Sequence, residues 1–261
     1  MFEQFVWLLV CLVNVDALNW DSCTKSSCSE GVKSITTSIC NVDRRGKISQ
    51  TEFLEKYAFT KPVILTGVSD NAEFQKLCEN ERLLKDHGNK VVTLSTANTH
   101  SYEKFQMTFA DYMEKVFAHQ EYNKTGPDTL YWFGNHDYAE WDSLFKHYKT
   151  PPYELPGKTI ALSFGVAGPG TGVPFHFHGP GFSEVIHGSK RWFLLPFEQK
   201  PDFDPNKTTL RWLLEDYVHL DESEKPFECV IKPGEVLYFP DKWWHATLNI
   251  EESVFISSFL G

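Results

Sequence analysis

The chain has 261 residues and a formal charge of −10, from 25 Lys and Arg against 35 Asp and Glu, with 41% apolar and 15% aromatic residues. A chain of this length can bury one sizeable core and lies near the ~250–300 residues at which cores begin to split, so one compact domain is expected. The aromatic content excludes the composition of a disordered chain. An acidic chain whose densest basic run is Arg44-Arg45-Gly46-Lys47 argues against a nucleic-acid partner held by phosphate neutralisation.

The chain opens with an apolar stretch from Phe5 to Val13, followed by Val15-Asp16-Ala17, short or small residues placed as signal peptidase requires. This stretch is well short of the ~20 apolar residues that cross a bilayer. Residues 1–17 are therefore expected to be a secretory signal peptide, although the segment before it, Met1-Phe2-Glu3-Gln4, has no Lys or Arg, and the mature chain is expected to carry no transmembrane span. Two sequons, Asn123-Lys124-Thr125 and Asn206-Lys207-Thr208, adjoin the turn formers Gly126-Pro127 and Pro205, which would expose glycans at Asn123 and Asn206. Signal and sequons together predict a glycoprotein of the endoplasmic reticulum lumen and secretory pathway. The C-terminal Ser258-Phe259-Leu260-Gly261 is not a KDEL-type signal, so retention there needs another mechanism.

Once Cys11 leaves with the signal, Cys23, Cys28, Cys40, Cys78 and Cys229 remain, an odd number that leaves a thiol free or bonded between subunits of a homo-oligomer. Within the Cys-containing arm of residues 18–49, Cys23 and Cys28 could pair with each other or tie the arm to Cys40 or Cys78. A calcium loop beginning at Asp43 is excluded, because Arg45 occupies a position that needs an oxygen ligand.

From residue 50 helices and strands mix. Ser49-Gln50-Thr51-Glu52 is a capping box that opens a helix through Phe53, Leu54 and Tyr57, closed before Pro62, and a strand follows over 62–65. Phe74, Leu77, Cys78, Leu83 and Leu84 recur at helical spacing up to Gly88, and 91–94 is a short strand. Thr108 to Asp111 caps a helix through Tyr112, Val116 and Phe117. Beyond Gly126-Pro127 come an aromatic run and a helix holding Trp141, Leu144 and Phe145. From Lys158 the chain turns to short strands at 159–166, 173–178, 185–186, 191–195, 229–231, 235–239, 245–250 and 253–259, punctuated by glycine and proline turns and one helical insert at 208–218. The pattern predicts a mainly β fold with some α: N-terminal helices and strands leading into a double-sheet jelly roll over about residues 158–261.

The chemistry concentrates in Val173-Pro174-Phe175-His176-Phe177-His178. Residues two apart in a strand share a face, roughly 6.6 Å apart at ~3.3 Å per residue. His176 and His178 can thus converge on one ion while Phe175 and Phe177 face the other side; a pair of satisfied structural histidines would leave the same pattern. In the segment from Gly234 to Asn249, a turn glycine precedes a strand, Pro240 ends it and His245 opens the next, a geometry that can return a third imidazole over the first two. That spacing resembles the second cupin motif, Gly-x5-Pro-x-Gly-x2-His-x3-Asn, with Lys242 where the motif has glycine. The earlier segment resembles the first cupin motif, with Gly170 ahead of His176 and Glu184 slightly later than that motif's glutamate.

Together with Pro62-Val63-Ile64-Leu65-Thr66-Gly67, with Gly188-Ser189-Lys190-Arg191-Trp192-Phe193-Leu194-Leu195-Pro196, and with Trp243-Trp244-His245, these motifs make residues 50–261 resemble a JmjC domain, a cupin subfamily of iron and 2-oxoglutarate oxygenases. The signal peptide and the closing Phe255 to Gly261 narrow the resemblance to the secretory-pathway branch of that family. The resemblance implies a double-stranded β-helix, Fe(II) ligated by His176 and His245, and 2-oxoglutarate anchored by Lys190. Its metal triad is His-x-Asp or His-x-Glu plus a distal His, and here His178 stands where the carboxylate belongs, with Glu184 as a candidate replacement.

Three neutral imidazoles leave the full +2 on the ion and suit other divalent metals as readily as iron. Two function classes follow. One is a luminal Fe(II)/2-oxoglutarate-dependent protein hydroxylase with a variant His-x-His…His site and an aromatic groove for a protein or peptide. The other is a non-catalytic scaffold or signalling regulator of the same fold, working through protein–protein contacts with a structural metal or none. A small-molecule cupin dioxygenase is a third version, and a signal peptide counts against histone demethylation. Trp243 and Trp244 are expected to pack the mouth of the barrel.

Overall fold

A computed structural model describes residue 35 and residues 39–261, apart from residues 101, 102, 127 and 135. The expected signal peptide, Cys23 and Cys28 lie outside the described residues. Among the described residues no helix is long and apolar enough to cross a membrane.

The chain begins with β1 (Asp43–Arg45) and α1 (Gln50–Lys56). Ser49 caps this helix as expected, its Oγ accepting the Glu52 N–H at 3.0 Å, while the Glu52 carboxylate accepts from Lys56 Nζ at 3.0 Å. β2 (Val63–Thr66) follows. The helical spacing up to Gly88 resolves into two helices, α2 (Ala72–Leu77) and α3 (Asn80–His87). The Cys78 N–H closes the first by donating to Phe74 O at 3.0 Å, and Glu79 is extended before the second begins. Next come β3 (Val91–Thr96), β4 (Lys104–Thr108), α4 (Phe109–Lys115), β5 (Leu130–Phe133) and α5 (Tyr138–Phe145). The remainder is β6 (Ile160–Ala167), β7 (Gly181–His187), β8 (Lys190–Leu195), α6 (Thr209–Glu215), β9 (Phe227–Ile231), β10 (Glu235–Phe239), β11 (Trp244–Asn249) and β12 (Ser253–Leu260).

These strands form a nine-stranded mixed sheet, ordered β1-β2-β10-β7-β12-β6-β5-β3-β4, and a three-stranded sheet, β11-β8-β9. Val185, Leu237 and Phe239 of the large sheet pack against Trp192 and Leu194 of the small one, so the two sheets close face to face as the expected jelly-roll sandwich. Outside the large sheet, helices α2 to α5 cover Phe164, Ile186 and Ile256 with Phe74, Leu83, Phe109, Trp141 and Phe145. Outside the small sheet, α6 covers Phe193 and Leu248 with Leu210, Trp212 and Leu213. Each such side chain taken out of water contributes on the order of 1.5–3 kcal/mol.

Three expectations are corrected. Segment 173–178 is not a ladder strand: Pro174 has no N–H to donate, and the segment meets β11 at one isolated bridge, His176 N to His245 O at 3.1 Å and His245 N to His176 O at 2.8 Å, with one further backbone bond from Thr247 N to Val173 O at 2.8 Å. The edge strands β1 and β4 were not anticipated: β1 is wholly polar and exposed, and β4 carries only two alternating apolar residues, Phe105 and Met107. Cys40 pairs with Cys229, 189 residues away, and Cys78 is a buried thiol in the core under α2.

Lys242 adopts φ of 60°, the left-handed conformation that glycine at this cupin-motif position would take freely. Its backbone N–H donates to His178 O at 2.9 Å, a bond that survives any non-proline substitution. Lys242→Gly is therefore expected to raise stability by about 0.5–1 kcal/mol, the relief of a strained side-chain conformation less the added entropy of the unfolded chain. A higher urea midpoint at unchanged slope would register it.

Candidate metal centre

His245 lies on β11 directly across the bridge from His176, and His178 follows one strand period later. The segment bearing the two histidines reaches β11 closely because Gly172 has no side chain: a Cβ there would sit 1.8 Å from the Thr247 carbonyl oxygen. Ring centroids are 4.2 Å apart for His176 and His245, 4.7 Å for His178 and His245, and 5.3 Å for His176 and His178. One nitrogen from each ring lies within 4.8 Å of the other two, a spacing from which all three can reach one ion. The intervening aromatics separate as strand parity requires. Phe175 is buried against Trp212 beneath α6, and Phe177 stands on the rim against Phe197 and Trp244.

The protons of the three rings follow from their partners. His176 Nδ1 lies 2.8 Å from Pro174 O, His178 Nδ1 2.7 Å from Gly179 O, and His245 Nδ1 2.9 Å from Trp243 O. A carbonyl only accepts, so each Nδ1 carries the hydrogen and each neutral ring keeps its lone pair on Nε2. Burial keeps the rings neutral: it pulls His176 down to about 4, His245 well below the usual imidazole range, and His178 below it. The result is three oriented, uncharged nitrogen donors.

Their Nε2 side belongs to a cavity of about 100 Å³, walled also by Tyr131, Phe133, Lys190, Trp192, Phe239 and Thr247. Lys190 is 3% exposed. Its Nζ sits 3.2 Å from the Phe255 ring centroid and 5.6 Å from that of Phe133. None of the ion pairs among the described residues includes it, and burial drives its pKa well below the usual lysine range. A buried amine facing a cavity without a carboxylate partner favours an anionic ligand that restores its charge.

Strand parity accounts for this placement. On β8, Lys190 and Trp192 face inward while Arg191 and Phe193 face α6. On β12, Ser257 turns to the cavity. The same parity could have predicted Trp192 and Thr247 as cavity residues from Lys190 and His245, two positions away in each case. Tyr131 and Phe133 had no such signal, since they reach the cavity from β5, outside the jelly-roll strands expected from the sequence.

Glu184 does not join the histidines. Its β7 neighbour Ser183 faces Ser257 on the cavity side, at 3.3 Å between hydroxyls, so Glu184 emerges on the opposite face of the sheet. There its carboxylate accepts from Asn71 Nδ2 at 3.0 and 3.2 Å and from the Tyr148 hydroxyl at 3.1 Å, and burial raises its pKa to about 7. No residue lining the histidine cavity is acidic; Asp241 lies near enough to bear on the charge of His178 but outside the lining. Asn123 and Asn206 are both exposed, and their sequons adjoin, with Thr208 Oγ1 donating to Thr125 O at 3.1 Å. Trp243 is buried between the sheets, and Trp244 joins Phe177 at the rim.

Residues 49–258 match the family described as a cupin-like domain. The chain is 58% identical over 222 residues to JmjC domain-containing protein 8 of Mus musculus, an alignment covering 85% of this chain and 82% of that protein. It is 56% identical over 222 residues to the Homo sapiens protein of the same name, covering 85% and 84%. More distantly, it is 27% identical over 208 residues to the 2-oxoglutarate and iron-dependent oxygenase JMJD4 of Gallus gallus, covering 68% of this chain and 47% of the relative.

Proposed function

The chain belongs to the cupin-like JmjC-domain family, and from that premise we propose that it is a luminal protein of the secretory pathway that binds a divalent metal through His176, His178 and His245 and a 2-oxoglutarate-type dicarboxylate through Lys190, as a protein hydroxylase of the Fe(II)/2-oxoglutarate class. The observation that carries this reading is Lys190: a buried amine with no carboxylate partner among the described residues, in the same cavity as three neutral imidazoles whose lone pairs are all on Nε2.

The residues fit both groups. Three Nε2 donors suit Fe(II), though nothing in the donor set selects it over other divalent ions. When bound, iron with 2-oxoglutarate supplies the oxidising chemistry. The protein's own part is to hold and exclude: the carbonyls of Pro174, Gly179 and Trp243 fix the imidazoles, the Lys190 ammonium donates to a ligand carboxylate, and Phe133, Trp192, Phe239 and Phe255 keep water from that ion pair. The luminal setting is supported by the N-terminal apolar stretch, by two exposed sequons and by the Cys40–Cys229 disulfide, a bond that persists in oxidising compartments. A protein or peptide would bind at the aromatic rim beside His178.

Calorimetric titration of 2-oxoglutarate into the glycosylated chain loaded anaerobically with Fe(II) tests this reading. Micromolar binding is expected, weakened at least ~100-fold in Lys190→Ala, where a charge-assisted pair in a dry cavity is lost. Absence of binding to the metal-loaded, folded protein overturns it. One observation favours a second reading, a non-catalytic scaffold of the same fold: with His178 in place of a carboxylate and no acid lining the cavity, the metal keeps its full charge. That reading predicts metal binding without 2-oxoglutarate turnover.

A further inference from the structure

The described part of the N-terminal arm is a clasp between the edges of the two sheets. Asn41 pairs with β9 of the small sheet, its N–H donating to Glu228 O at 3.1 Å and its Oδ1 accepting from Glu228 N at 2.6 Å. Two residues later the chain crosses to the large sheet, where β1 runs parallel to β2 with Asp43 opposite Val63. The covalent tie of this clasp is the Cys40–Cys229 disulfide.

Its two sulfurs differ. Cys40 is in an exposed residue, whereas Cys229 is fully buried between the sheets. The Arg44 guanidinium spans both, with Nε 3.3 Å from Cys40 Sγ and Nη2 3.2 Å from Cys229 Sγ. It is held there by Val230 O, 2.9 Å from Nη2, and by an ion pair with Glu235. A fixed cation against a sulfur stabilises its thiolate, and a lower-pKa thiolate is the better leaving group in exchange.

We infer that Cys40–Cys229 is a thiol-exchange site whose reactant is a dithiol, with Cys40 the sulfur attacked and Cys229 the leaving group. The incoming thiolate forms a bond to Cys40 Sγ as the Cys40–Cys229 bond breaks, and the electron pair departs on Cys229 Sγ beside Arg44 Nη2. The reactant's second thiolate then displaces Cys40, leaving two cysteine thiols after protonation and the reactant as its own disulfide, two electrons having passed to the protein. Reduction removes the covalent tie of the clasp to β9, leaving the Asn41 hydrogen bonds to Glu228, the ion-pair partner of Arg191, which is next in sequence to Lys190.

The test uses the oxidised full chain under native conditions. Reduction by millimolar dithiothreitol is followed by rapid alkylation and peptide mass spectrometry, and glutathione serves as a monothiol probe of the attacked sulfur. The rate is expected to rise in proportion to dithiothreitol, glutathione to be trapped on Cys40, and Arg44→Gln to slow reduction roughly three- to tenfold. If Arg44 merely braces the clasp, Arg44→Gln will instead speed reduction, as Asn41→Ala should by loosening it. Three results would each overturn the inference: a faster or unchanged rate in Arg44→Gln, glutathione on Cys229, or a rate independent of dithiothreitol and set by unfolding.

Discussion

Replacing His245 by alanine is expected to weaken Co(II) binding by at least ~10³-fold and to erase the visible absorption bands of the bound ion. Of the three imidazoles it is the most buried, at 2% exposed, and it alone stands within 4.7 Å, centroid to centroid, of both others. Disturbing an outer partner of a metal ligand already costs 10–100-fold in affinity, and here a donor itself is lost, leaving two. The fold should tolerate the change, because the ring's Nδ1 bond is to the Trp243 carbonyl two residues away and the bridge to His176 is backbone to backbone. An unchanged far-ultraviolet circular dichroism spectrum would confirm that the loss is local. Undiminished Co(II) affinity in this variant would show that the metal binds elsewhere and remove the basis of the proposed centre.

Glu228→Ala is expected to destabilise the protein by about 3–5 kcal/mol, the cost of leaving one member of a buried ion pair uncompensated. The side chains of Arg191 and Glu228 are 1% and 3% exposed, and the carboxylate accepts from Arg191 Nε at 3.0 Å, from Arg191 Nη2 at 2.5 Å and from the Tyr217 hydroxyl at 2.5 Å. Truncation removes the carboxylate from a guanidinium that cannot deprotonate and is buried beneath α6. For a chain of this size the loss corresponds to a fall in thermal midpoint of roughly 10 °C. An Arg191→Met, Glu228→Leu double variant should recover most of it, since apolar residues of similar volume incur no charge desolvation. The exposed pair Arg82–Asp86 provides the contrast, and Asp86→Ala should cost less than ~0.5 kcal/mol. A Glu228→Ala protein as stable as the parent would mean that the buried pair contributes nothing net.

The helix caps and the histidine pattern were legible because each depends on neighbours in sequence. Ser49 and Thr108 each accept the N–H three residues on, as their helix starts require; Thr208 does the same at α6, where the sequence predicts only a helical insert. The inward turn of His176 and His178 follows from the two-residue period even though their segment forms no continuous ladder with β11. Glu184 shows where such reading ends. Its nearness to the first cupin motif made it a candidate ligand, but one residue of register decides which face of β7 it occupies, and that register is set by β10 and β12, which lie far along the chain.

By itself, the sequence determined the class of fold, the capped starts of two of its helices, the family it resembles and the three histidines placed to meet, since all of these rest on local spacing and on motifs whose residues are written in order. Only the tertiary structure decided that Cys40 finds Cys229, that Arg191 finds Glu228, that Glu184 faces away and that Lys190 is buried without a counter-ion among the described residues. These depend on which distant strands pair and in what register, a choice made by burial summed over both sheets rather than by any neighbouring residue.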